Sequence, residues 1–95
     1  MKHKKAVEVL SALAQESRLS IYLLLLEIGE TGLPAGDIAK KLDISDTTLS
    51  FHLAQLKSAK LIRSHKQGRF VIYAANMRRA KKLSKLITGK EKKEL

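Results

Sequence analysis

The 95-residue sequence predicts a mainly α-helical domain with one small β-hairpin, in the order α-α-α-α-β-β-α. Three observations lead to this class. Hydrophobic residues recur at helical spacing as far as Ala59. The period changes to two between Leu61 and Ala74, then becomes helical again from Asn76. Gln67-Gly68-Arg69, a glycine-containing turn of hairpin length, divides the period-two stretch.

Each element follows from its residues. Lys4–Ala14 carries Ala6, Val7, Val9, Leu10, Leu13 and Ala14 as a helical stripe. Ser17 is the expected N-cap of a second helix, Arg18–Ile28, with Gly29 as its stop. That helix is apolar nearly all round, which predicts the buried centre of a small bundle. Glu30–Leu33 reads as a loop, and Pro34 opens a short helix ending at Leu42. Asp43-Ile44-Ser45 is a tight turn, after which Ser45 caps a helix over Asp46–Ala59. Asp46 suits the positive end of that helix. The hairpin follows, with Phe70–Ala74 as its more apolar strand. A final helix then puts Met77, Ala80, Leu83, Leu86 and Ile87 on one side. The domain is expected over 1–88, with 89–95 a polar, charged and disordered tail. Two helices joined by a tight turn and followed by a hairpin make a winged helix-turn-helix.

Composition removes several functions. One domain of this size buries somewhat over ~60% of its unfolded surface, enough to fold without staples. Aromatic residues are only 4% of the chain, so the core must be aliphatic. The absence of cysteine excludes disulfides, thiolate metal sites and thiol redox chemistry. His3, His52 and His65 are dispersed, with no carboxylate at metal-ligand spacing, so neither metal nor cofactor is expected. Catalytic constellations are also missing: there is no paired-carboxylate face, P-loop or nucleophile elbow. Glu27 and Glu30 share an edge, but a solvated helix end explains them. The longest apolar run, Leu23–Leu26, is far short of the ~20 residues of a membrane span, and the N-terminus lacks the apolar core of a signal peptide. A soluble, cytoplasmic protein without membrane contact is expected.

Charge supplies the positive evidence. The formal net charge is +10, and from Thr47 to Lys90 there is no acidic residue against eleven Lys and Arg. Residues 1–46 are nearly balanced, with six basic and seven acidic side chains. A one-signed half attracts a polyanion, and double-stranded DNA is the expected partner of a helix-turn-helix opening onto it.

The stripe Leu49, Leu53, Leu56 fixes the rotation of Asp46–Ala59. Thr47, Phe51, Ala54, Gln55 and Ser58 then face outward, with Thr48 and Ser50 beside them. Ser45, Thr47, Thr48, Ser50, Phe51, His52 and Gln55 are the candidate recognition residues, because hydroxyl and amide groups can bond base edges or phosphates. Two readings of Phe51 stand: contact with a thymine methyl, or packing against the hairpin or a neighbouring loop. His52, near the buried stripe, is either a half-buried histidine held by a local hydrogen bond or a base contact. Lys57, Lys66 and Arg69 are the candidate backbone contacts; the last two bracket the wing turn, where a cation reaches a phosphate or minor groove.

The segments Ala12-Leu13-Ala14, Ser17-Arg18-Leu19, Ala35–Ala39, Ile44–Leu53 with Leu56, and Gly68-Arg69 with Tyr73 together resemble the ArsR/SmtB family of bacterial transcriptional repressors. The similarity runs over about Leu10–Ile87, and Thr48–Leu53 ("TLSFHL") is its most specific part. The resemblance implies a homodimer joined by its first and last helices, bound to an imperfect inverted repeat and released by an effector. It implies that Thr47, Ser50, Phe51 and His52 lie at the DNA. The chain departs from the family's metal sensors: Leu33–Asp37 has no Cys-x-Cys pair, and Arg78, Arg79, Lys81, Lys82 and Lys85 stand where others carry ligands. Cations cannot ligate a metal while protonated. The effector is unassigned. The expected interface uses Val7, Leu10, Met77, Leu83, Leu86 and Ile87, whose apolar surface exceeds what a lone terminal helix hides. A winged-helix module for RNA or an acidic protein is the competing reading; the scarcity of stacking aromatics weighs against RNA.

Overall fold

The computed structural model describes residues 1–91. The elements are α1 (His3–Leu13), α2 (Glu16–Ile28), β1 (Leu33–Pro34), α3 (Ala35–Leu42), α4 (Asp46–Ser58), β2 (Ile62–Gln67), β3 (Phe70–Ala75) and α5 (Met77–Ile87). All five expected helices and both hairpin strands form. The addition is β1, in a segment expected to be loop. Its two residues pair antiparallel with β3, Leu33 opposite Tyr73 and Pro34 opposite Ile72. The sheet order is therefore β1-β3-β2. Proline is tolerated there because β1 is an edge strand and need not donate on its outer side.

Local chemistry sets the boundaries. α2 begins at Glu16 rather than after Ser17, because the Gln15 side chain accepts from the Arg18 amide at 2.8 Å and takes the cap. Pro34 lies just outside α3 as its N-cap and shares its backbone with β1. Gly29 ends α2 with φ +86. Asp43 closes α3 in the left-handed region, which Asp and Asn enter more readily than most residues. At the wing, Gly68 has φ +64 in a two-residue loop between Gln67 and Phe70, the first central position where a type II′ turn needs glycine.

The core is aliphatic. Val9, Ile21, Leu25, Ile38, Leu49, Leu56 and Leu61 are fully buried, joined by Tyr22, Leu53, Ile62 and Leu83. Fully burying each such aliphatic side chain contributes about 1.5–3 kcal/mol. α2 is less enclosed than its composition suggests. Ile21, Tyr22 and Leu25 are buried, but Leu19 and Leu23 face solvent, Leu23 at 53% exposure. α5 touches its own chain mainly through Leu83, with Ala80 and Leu86 half-buried beside it. Among the described residues no single helix is long and apolar enough to cross a membrane. The expectation for the tail concerns 89–95. Gly89 and Lys90 still bond back to α5 and Glu91 pairs with the Met1 α-amino group at 2.8 Å. Residues 92–95 lie outside the described residues.

Candidate nucleic-acid interface

α3 and α4 form the helix-turn-helix, and the start of α4 is tightly specified. Ser45 Oγ accepts from the Thr48 amide at 3.4 Å and donates to Thr48 Oγ1 at 3.0 Å. Both hydroxyls are thus occupied by each other while remaining exposed. Leu49, Leu53 and Leu56 are buried, which turns Thr47, Ser50, Phe51, Ala54, Gln55 and Ser58 to solvent, as the spacing requires. Phe51 is 58% exposed and stands edge-to-face with the His52 ring, with centroids 5.7 Å apart.

His52 is drawn inward. It is 8% exposed, and its Nδ1 lies 3.4 Å from Arg18 Nη1. Arg18 is itself held by Nε donating to the Ala12 carbonyl at 2.6 Å. Guanidinium can only donate, so Nδ1 accepts and the ring's proton resides on Nε2. Burial and, secondarily, the Arg18 charge hold the His52 pKa below its ordinary value. The ring is therefore neutral at pH 7 and couples α2 to α4. Gln55 opens on its other side into a cavity of about 440 Å³ shared with Val7, Glu8, Ser11, Arg18 and Ser58.

Lys66 pairs across the ribbon with Val71, and Gln67 with Phe70. Lys57, Arg63, Lys66, Gly68 and Arg69 are all exposed. The wing also presents residues the sequence reading missed. Phe70 is 58% exposed and Val71 is also solvent-facing, because the ribbon's tip extends beyond the body that covers Ile72 and Ala74. The signal was an apolar residue one step from a hairpin turn. Among the described residues the ion pairs are Met1–Glu91 and Lys5–Glu8, so no cation from Lys57 to Lys90 has a carboxylate partner. No three of His, Asp or Glu converge on a point among the described residues.

Of the expected interface residues, Val7, Leu10, Met77 and Ile87 are exposed, Ile87 at 66%. Leu86 is half-buried, and Leu83 is 7% exposed within its own chain. Leu83 therefore serves the monomer's core first.

A helix-turn-helix with an exposed hydroxyl-bearing helix face, followed by a cationic β-ribbon, defines a winged-helix DNA-binding transcriptional regulator. Residues 13–65 match the family model described as a helix-turn-helix domain. Over 83 residues the chain is 34% identical to the transcriptional activator HlyU of Vibrio cholerae, spanning 87% of this chain and 74% of that protein. HlyU's solved structure superposes with a TM-score of 0.75 at 32% identity, covering 94% and 96% of the two chains. The arsenical resistance operon repressor of Escherichia coli is 42% identical over 67 residues, 70% of this chain and 56% of that one. A homodimeric winged helix-turn-helix DNA-binding domain from Mycobacterium bovis, described as a possible ArsR-family regulator, gives a TM-score of 0.75 at 28% identity over 90% and 78%. The chain belongs to the ArsR-type helix-turn-helix regulators.

Proposed function

We propose that the protein acts in the cytoplasm, on the chromosome, as a homodimeric repressor that reads an inverted-repeat operator with α4 and grips flanking backbone with its wing. The observation that carries this is the N-terminal face of α4, where Thr47, Ser50 and Phe51 stand exposed on a helix fixed from behind by three leucines. These three are the base-reading residues, with Gln55 one turn behind. Ser45 and Thr48 cap the helix and hold its amide end toward a phosphate. His52 positions α4 through Arg18 instead of meeting bases. Lys57, Lys66 and Arg69 contact backbone or a minor-groove edge. The dimeric Mycobacterium bovis neighbour and the uncovered stripe of α5 support pairing. The relatives regulate transcription, which supports a non-catalytic role; one represses and another activates.

The test pairs two variants on operator and scrambled duplexes, the operator first selected from genomic fragments. Ser50→Ala should lose about 1–3 kcal/mol of operator discrimination, roughly tenfold or more, while keeping weak binding to scrambled DNA. Arg69→Ala should weaken both duplexes alike and make the salt slope shallower by about one unit. Equal weakening of both duplexes by Ser50→Ala would show that α4 does not read bases through this face.

A further inference from the structure

A second concentration of positive charge lies at the base of the wing, outside the recognition surface. Lys60, Asn76, Arg78, Arg79 and Lys82 line a cavity of about 250 Å³ where the end of α4, the start of β2 and the first turns of α5 meet. The chain folds these residues together through Asn76. Its side-chain amide donates to the Lys60 carbonyl at 2.9 Å, and its Oδ1 accepts from the Arg79 amide at 3.3 Å. Its backbone N–H also donates to the Leu61 carbonyl at 2.9 Å. Both polar atoms of the Asn76 side chain are thereby engaged, and the first turn of α5 is already capped. What the cavity offers a ligand is four cations. None of them has a carboxylate partner among the described residues. Like charges gathered in this way repel until an anion neutralises them.

We propose that this cavity binds a small, multiply charged phosphate anion, inorganic polyphosphate or the polyphosphate tail of a nucleotide. Two guanidinium groups match phosphate oxygens in bidentate fashion, and two lysines add point charges. Four positive charges call for more than a single carboxylate. DNA held by α4 is the less suitable occupant. β2 spans six residues from Ile62, two positions beyond the cavity's Lys60, to the tip at Gln67. At about 3.3 Å per residue, that puts the cavity roughly 17–20 Å from the tip that carries Arg69.

The site is independent of the DNA reading, and its test separates the two. The full chain is titrated with sodium triphosphate and with ATP at constant ionic strength, as wild type, as Arg78→Gln/Lys82→Gln and as Lys81→Gln/Lys85→Gln. All four changed side chains are exposed, and the second pair removes the same charge from the same helix away from the cavity. Triphosphate should bind the wild type, with affinity falling at least tenfold in the cavity variant and less than threefold in the control. Equal binding of ATP assigns recognition to the phosphates alone; tighter binding of ATP adds a contact to the nucleoside. Equal losses in both variants, or no triphosphate binding by the wild type, would overturn the site. The same proteins are titrated with 16- and 40-base-pair duplexes. If only the cavity variant loses the advantage of the longer duplex while triphosphate fails to bind, these cations hold DNA, and the free-anion site is wrong. A wild type that binds triphosphate but neither duplex would instead remove the DNA-binding proposal.

Discussion

At the scale of single residues, His52 and Gly32 carry the sharpest expectations. Burial first, and Arg18 second, lower the folded-state pKa of His52 below its ordinary 6.5. Above the unfolded pKa the ring is neutral in both states and contributes no pH dependence. As pH falls through about 6.5 the unfolded chain takes up a proton that the folded one resists, so stability declines until the folded ring also titrates. Urea midpoints should thus fall between pH 7 and 5, and His52→Gln should flatten that part of the curve. An unchanged slope in the variant would place the dependence elsewhere. Gly32, with φ +66, precedes β1. A Cβ there would run into the Tyr73 carbonyl oxygen and come within 2.8 Å of Ile72 Cγ2. Gly32→Ala combines backbone strain with a clash against the strand that β1 must pair, and should cost about 2–4 kcal/mol by denaturant titration. A loss under 0.5 kcal/mol would mean that β1 pairing contributes little.

The elements show which physical signals a sequence exposes. α4 was legible to its rotation, because three leucines at i, i+4 and i+7 leave one way to bury them. The hairpin was legible from its period and from Gly68. β1 was not, since two residues carry no period and their ladder partner lies about forty positions away. Ser17 lost the α2 cap because Gln15, two residues earlier, accepts from the Arg18 amide and starts the helix sooner. The exposure of Leu19 and Leu23 was hidden by a helix without a polar face. The cavity at Lys60 was equally hidden, being assembled from α4's end and α5 through one asparagine. α5 itself makes a testable claim. Its exposed Ile87 and half-buried Leu86 should meet a partner chain, whereas Leu83 belongs to the core. Ile87→Asp should convert a micromolar dimer to monomer by sedimentation without unfolding it, while Leu83→Asp should unfold the chain. A wild-type monomer at that concentration would remove the basis for reading an inverted repeat.

Over the whole molecule, charge and shape divide the work. The body measures 44 × 23 × 19 Å, and its acid-free half runs from Thr47, the second residue of α4, through the wing and α5. If roughly six phosphates per dimer are neutralised, log K should fall with log salt at a slope near −5 or steeper. A slope near zero on a mixed-sequence duplex would mean that this half serves another purpose. α5 adds a consequence for the cell. If this helix's outer stripe pairs two chains as proposed, the folded state is tied to a second chain, and so to how many chains are present. Below the dimer's dissociation constant, the DNA-competent species grows as the square of chain concentration. Synthesis and proteolysis then act on the operator directly. A modest change in the protein's abundance becomes a steeper change in the output of the gene, even with no effector present.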